Sequence, residues 1–192
     1  MAEPNPEELF NLGMLSYDKQ DFSKARKYFE KACGLNNSGG CGALGVLYQY
    51  GRGVEKNSKK VAQLYSKACD LKDGCGCSNV GVLYQNGQIV EKDLTKAAYL
   101  YSKACDLKDG WGCKNLGALY YNGQGVEKNL IKAAYFYSKA CELKEGDGCG
   151  ALGGLYYNGD GVKQDFKKAV ALFKKACKLG DQLACEMLKE LR

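Results

Sequence analysis

No histidine occurs in this 192-residue chain, and its two prolines, Pro4 and Pro6, both stand at the very start. Without imidazole the commonest catalytic dyads and triads are unavailable, as are the mixed Cys/His zinc sites of many small domains. With no proline further along, chain reversals fall to 25 glycines, and many short, similar turns are expected. No apolar run is long enough to span a bilayer, so no membrane insertion is expected. The opening Met1-Ala2-Glu3-Pro4-Asn5-Pro6 also lacks the basic start and apolar stretch of a signal peptide.

Carboxylates are outnumbered by basic residues, 22 to 28, for a net charge of +6. Lys59, Lys60, Lys96, Lys132, Lys167 and Lys168 recur at one place of an internal repeat, which reads as a solvated helix face, and no nucleic-acid partner is expected. Eleven cysteines are far above ordinary usage. With no histidine beside them they read as disulfides, which form in oxidising compartments. The expected location is therefore secreted or periplasmic, with the export signal already removed. No cofactor and no metal are expected.

The cysteines also set the register. Cys33, Cys69, Cys105, Cys141 and Cys177 are each 36 residues apart, and so are Cys41, Cys77, Cys113, Cys149 and Cys185. Such regularity marks units that stack in the same way and bury their apolar faces on one another. Within a unit, Leu116, Leu119 and Tyr120 share one face of a short helix A, which stops at Asn122-Gly123-Gln124-Gly125, with Asn86, Asn122 and Asn158 just before the closing glycine. Asn57, Asp93, Asn129 and Asp165 stand at the N-cap of a helix B, whose apolar stripe in one unit is Ala133, Phe136, Tyr137 and Ala140. Tyr65, Tyr84, Tyr101, Tyr120 and Tyr156 are expected in the core. Trp111 is placed in a loop just ahead of helix A, where its ring would anchor a ligand or seal apolar surface.

One repeat domain over residues 1–192 is expected, with a first, capping unit at 5–40 whose helices are joined by Tyr17-Asp18-Lys19-Gln20-Asp21-Phe22. Further units follow at 41–76, 77–112, 113–148 and 149–180. A capping helix at 181–192 would turn Leu183, Met187, Leu188 and Leu191 inward. Residue 89 is Ile where sister loops have glycine, so that loop is expected to turn differently.

The strings Leu-Gly-x-Leu-Tyr, Gly-x-Gly-Val and Lys-Ala-x-x-x-Tyr-x-Lys-Ala-Cys resemble Sel1-like repeats, relatives of the tetratricopeptide repeat, over nearly the whole chain. The cysteine pair in every unit is similar to that of the Helicobacter cysteine-rich (Hcp) proteins. The resemblance implies an all-α, right-handed α/α superhelical solenoid of helix pairs. Each pair Cys33–Cys41, Cys69–Cys77, Cys105–Cys113, Cys141–Cys149 and Cys177–Cys185 would join the end of a helix B to the start of the next helix A. Each such bridge would stabilise by about 2.5 kcal/mol for a loop of roughly nine residues. Cys75 is left over, as a free thiol, a competitor of Cys77 for Cys69, an intermolecular bridge, or a zinc ligand with Cys69 and Cys77.

In tetratricopeptide relatives, helix A lines a concave surface, and an asparagine before the Leu-Gly pair holds peptide backbone. Asn11, Asn79 and Asn115 match that position, whereas Ala43 and Ala151 depart from it. Gln49, Gln85, Tyr121 and Tyr157 follow one turn later, and with Trp111 they complete the binding candidates. The expected function is that of an exported protein that binds a peptide or protein partner, a host protein among them. The Hcp resemblance also carries a penicillin-binding or β-lactamase designation, so β-lactam is the alternative ligand. Ser16-Tyr17-Asp18-Lys19 fits the Ser-x-x-Lys arrangement of penicillin-recognising enzymes and makes Ser16 and Lys19 the catalytic candidates, with neither Ser-Asp-Asn nor Lys-Thr-Gly beside them.

Overall fold

A computed structural model describes residues 4–191, and among them the secondary structure is entirely α-helical. The chain divides after Lys92 into two compact units. Unit 1 holds α1 (Pro6–Asp18), α2 (Phe22–Gly34), α3 (Ser38–Tyr50), α4 (Ser58–Asp70) and α5 (Gly74–Asn86). Unit 2 holds α6 (Leu94–Asp106), α7 (Gly110–Asn122), α8 (Leu130–Glu142), α9 (Gly146–Asn158), α10 (Phe166–Lys178) and α11 (Gln182–Glu190). Odd-numbered helices are the A helices of the repeat and even-numbered ones its B helices.

Local chemistry sets these boundaries. Asn57, Asp93, Asn129 and Asp165 each accept the backbone N–H three residues on, at 2.9–3.0 Å, and so satisfy an orphan donor at the start of a B helix. Asn37, Asp73 and Asp109 do the same for the A helices, at 2.7–3.0 Å. At the far end of the A helices Gly51, Gly87, Gly123 and Gly159 take the left-handed conformation.

Within a pair the two helices approach closely because helix A is nearly bare where helix B lays a ring on it. A Cβ added at Gly117 would stand 2.8 Å from the ring of Tyr137. Gly13 faces Phe29, Gly45 faces Tyr65 and Gly153 faces Phe173 in the same manner. The rest of the B-helix core is small: Ala97, Ala104, Ala133, Ala140, Ala169 and Ala176 are buried together with the cysteines. Such side chains remove little apolar area from water per residue, so the pairs need further fastening.

That fastening lies between helix B and the next helix A. The five cysteine pairs are at bonding distance, 1.98–2.05 Å between sulfurs, with Cα atoms 4.4–4.8 Å apart. Each of the first four encloses a residue with positive φ, namely Asn36, Lys72, Lys108 and Lys144, at 61–65°. A side chain there costs about 1 kcal/mol, and the cross-link holds the chain in that turn. Across successive repeats of unit 1, Lys67 donates to the carbonyl of Cys33 at 2.9 Å, placing a cation on the C-terminal end of α2.

Several expectations need correction. Trp111 lies inside the first turn of α7, not in a preceding loop, because Asp109 starts that helix two residues earlier, and Cys75 holds the same place in α5. Cys75 is exposed and stands outside the five pairs. Tyr65 and Tyr101 are buried, whereas Tyr84, Tyr120 and Tyr156 are half-buried. The Lys132 and Lys168 ammonium groups cover Tyr120 and Tyr156, 5.1 and 5.2 Å from the ring centroids. In α11, Leu183 is 67% exposed, and Leu191 just beyond its end is exposed too; Ala184 is buried, with Met187 and Leu188 packed beside it. Ile89 does turn differently from its counterparts, since Gly53, Gly125 and Gly161 have φ of 65–70° and Ile89 is not among the positive-φ residues.

Two glycine substitutions separate the roles of glycine in this fold. Gly125 has φ +70°, and a Cβ there would meet the Leu94 carbonyl oxygen at 2.2 Å. Gly154, in the middle of α9, has open space where its Cβ would stand. Urea unfolding is expected to show Gly125→Ala losing about 1–3 kcal/mol. Gly154→Ala should gain about 0.5–1 kcal/mol from helix propensity. A stabilised Gly125→Ala or a destabilised Gly154→Ala contradicts this packing.

Candidate functional site

An A helix keeps one stripe that its own B helix and the neighbouring repeats cover only in part. On α7 this stripe is Trp111, Lys114, Asn115, Ala118 and Tyr121, at helical spacings of three and four. All of these keep some exposure, while Ala118 and Tyr121 still touch the core around Tyr137. Lys114 Nζ lies 3.1 Å from Asp147 Oδ2 and 3.8 Å from Glu145 Oε1, and 5.9 Å from the centroid of the Trp111 ring. An ammonium shared by two carboxylates and an aromatic face fixes the first turn of α7 against the start of α9.

The equivalent stripe on α9 is stripped down to Asp147, Gly150, Ala151, Gly154 and Tyr157. Between α9 and α11 this leaves a groove of about 450 Å³, floored by Gly150, Ala151 and Gly154 and walled by Leu183 and Met187. Asp147 and Asp181 stand at its rim, and Asp181 accepts the Ala184 N–H at 3.1 Å as the N-cap of α11. The arrangement is an apolar trough with two carboxylates at one end. It can hold an apolar side chain of a segment whose neighbouring residues are basic.

The candidate binding residues distribute unevenly around this groove. Asn115, Tyr121 and Trp111 share the α7 stripe, and Tyr157 lies on α9, its carbonyl accepting from Gln164 Nε2 at 2.8 Å and its ring edge-on to Phe166 at 5.3 Å. Asn11, Gln49, Asn79 and Gln85 belong to unit 1. There Gln49 accepts the Tyr65 hydroxyl at 2.5 Å, so its amide oxygen is engaged in holding helix B. None of the candidates lines the α9/α11 groove. A signal for it does exist in the sequence: at one stripe position the residues shrink from Val46 and Val82 to Ala118 and then Gly154.

Ser16 and Lys19 border a smaller cavity of about 160 Å³ with Asp21, Lys24 and Tyr28. Ser16 is buried, and its hydroxyl donates to the Leu12 carbonyl at 2.9 Å, an ordinary bond of a helical serine to the preceding turn. Among the described residues no set of His, Cys, Asp or Glu side chains is arranged to hold a metal ion, and no helix is long and apolar enough to cross a membrane.

Comparison with known proteins matches residues 40–73, 76–109, 112–145 and 147–181 to the Sel1 repeat, and residues 6–38 to the tetratricopeptide repeat. The Beta-lactamase HcpA of Helicobacter pylori is 51% identical over 63 residues, which are 33% of this chain and 25% of that protein. Matched stretches span 18–25% of the length of such curated relatives. Among solved structures, the Helicobacter pylori cysteine rich protein B is 47% identical, with a TM-score of 0.57, over 69% of this chain and 96% of that one. A Sel1 repeat protein from Oxalobacter formigenes is 30% identical, with a TM-score of 0.87, over 97% of this chain and 74% of that one.

The ring contacts give the stability a defined pH dependence. Burial, and then the neighbouring Tyr50, pushes the Tyr65 phenol up to about 12; burial, and then Tyr121, pushes Tyr137 up to about 12. In the unfolded chain these phenols ionise near 10. Above that pH the unfolded state gives up protons that the folded state keeps, so stability present below pH ~10 is lost as the pH climbs towards ~12. Unfolding midpoints measured across that window should fall, and the fall should be shallower in Tyr65→Phe/Tyr137→Phe. An equally steep fall in the double variant contradicts the assignment.

Proposed function

The chain belongs to the Sel1 repeat family and, within it, to the cysteine-rich Hcp proteins, and from that membership we propose that it is an exported interaction module. It binds an extended segment of a partner protein, host proteins included, on the A-helix face of unit 2. The observation that carries this reading is the α9/α11 groove: Gly154 weakens its own helix and a Cβ there would meet nothing, while Leu183 and Met187 line the same space. A backbone or side chain that comes close to α9 supplies the missing contact. Asn115, Tyr121 and Tyr157 offer amide and phenol groups to the peptide backbone alongside. Ten cysteines paired in five disulfides, which persist in an oxidising compartment, support export.

The test is a peptide selected by display against the oxidised chain, with its affinity then measured by fluorescence anisotropy. Gly154→Trp fills the groove from an open position and should weaken binding by about tenfold or more, the equivalent of ~1.4 kcal/mol. Asn115→Ala should weaken it less, and the unfolding midpoints of both variants should stay near that of the parent. Selected peptides that bind all three proteins alike remove the groove as the site.

A second reading, a β-lactam-binding protein with slow hydrolase activity, is favoured by the name of the relative HcpA and by the cavity that Ser16 and Lys19 share. As the nucleophile, Ser16 would have to release the Leu12 carbonyl and lose its proton to a neighbouring base. Turnover of a chromogenic cephalosporin by the oxidised chain should then drop to background in Ser16→Ala. Undiminished turnover excludes this serine, and no turnover by the parent excludes the reading.

A further inference from the structure

The lysine that recurs in every B helix has a structural role: Lys60, Lys132 and Lys168 lie over Tyr48, Tyr120 and Tyr156. The helix α10 carries further lysines that the repeat does not require. Its outward strip reads Lys167, Ala171, Lys174, Lys178, where α8 has Ile131, Tyr135, Ser138, Glu142 and α6 has Thr95, Tyr99, Ser102, Asp106. Lys167, Lys174 and Lys178 are exposed, fall on one side of the helix, and form no salt bridge among the described residues. They span about 16 Å at the rise of an α-helix. No carboxylate lies within α10 to offset them.

Charge and apolar exposure coincide on these B helices. Within α6, α8 and α10 there are nine lysines against Asp106 and Glu142, a balance of +7 (9 − 2), larger than the +6 of the whole chain. The same three helices expose Ile131 by 72%, Tyr99 by 68%, Phe166 by 55% and Tyr135 by 54%. Large apolar and phenolic side chains on helices that also carry the exposed lysines of α10 are the composition that suits a boundary between water and hydrocarbon at a negatively charged surface. A protein segment would instead need a pocket for its anchoring side chains. Neither the α9/α11 groove nor the loop cavity at Val126 and Lys128 is lined by Tyr99, Ile131, Tyr135, Lys167, Lys174 or Lys178.

We propose that the B-helix face of unit 2 docks on anionic phospholipid headgroups. The lysines of α10 make the charge contact, and Tyr99, Ile131 and Tyr135 settle at the headgroup level without any helix entering the bilayer. This face is distinct from the A-helix groove, so one protein can rest on a membrane while its groove is engaged.

Co-sedimentation of the whole 192-residue, oxidised chain with phosphatidylcholine vesicles, with and without phosphatidylglycerol, tests the proposal. Binding should need phosphatidylglycerol and be released by high salt. Lys167→Glu/Lys174→Glu/Lys178→Glu should lose about a hundredfold or more in partitioning while keeping the helical circular dichroism of the parent. Tyr99→Ser/Tyr135→Ser should bind several-fold more weakly and remain salt-sensitive, and Gly154→Trp should bind like the parent. Sedimentation that ignores the lipid charge, or undiminished binding by the lysine variant, overturns the proposal. So does binding to polyglutamate with none to phosphatidylglycerol vesicles, which would assign the face to an acidic protein instead.

Discussion

The structure depends on the three-residue turn between each helix B and the helix A that follows it. At Leu71-Lys72-Asp73 the chain must reverse with a lysine at φ 64°, a conformation that side chains resist, and then start a helix whose first turn is Gly74-Cys75-Gly76. Neither step favours order, because glycine adds conformational entropy to the unfolded chain and the left-handed lysine adds strain. The Cys69–Cys77 bond holds both ends of this turn with their Cα atoms 4.4 Å apart. The same junction recurs every 36 residues with the same cross-link, and an Asn or Asp caps the next helix at every one but α9, where Glu145 makes no side-chain cap.

Closing these turns covalently relaxes what the apolar core has to supply. Alanine and cysteine can fill the B-helix interior because each B helix is tied covalently to the A helix that follows it, while within a pair a ring such as Tyr137 lies directly on the backbone of α7 at Gly117. The stripe of each A helix that its B helix covers only in part is then left with little packing duty. In unit 2 that freedom is visible as the shrinking series that ends at Gly154. The charges follow a similar division, with lysine concentrated on the B helices and Asp147, Asp181, Glu186 and Glu190 at α9 and α11.

Much of this was legible before any coordinates. The cysteine period gave the register, the residues at Asn57, Asp93, Asn129 and Asp165 marked where B helices begin, and Ile89 marked the odd loop. The A-helix starts were missed because Gly-x-Gly discourages a helical reading, whereas Asp109, accepting the Gly112 N–H at 2.8 Å, was the stronger signal. Periodicity puts Tyr120 and Tyr156 in the core, and both do pack against it, but it does not register that a lysine one helix away covers a face of the ring. Leu183 followed the apolar stripe of α11 on paper but faces the groove, since Ala184 and Met187 already fill the contact with α9 and α10. The groove itself escaped notice because it is made by side chains that are missing rather than present.

The central claim is that covalent closure of the B-to-A junction, more than apolar burial, holds the repeats in register. Equilibrium unfolding in urea of the oxidised chain and of the same chain after reduction, followed by far-ultraviolet circular dichroism, tests it most directly. With each bridge contributing about 2.5 kcal/mol, the reduced chain should be largely unfolded where the oxidised chain is still fully helical. Superimposable transitions for the two forms would contradict the account.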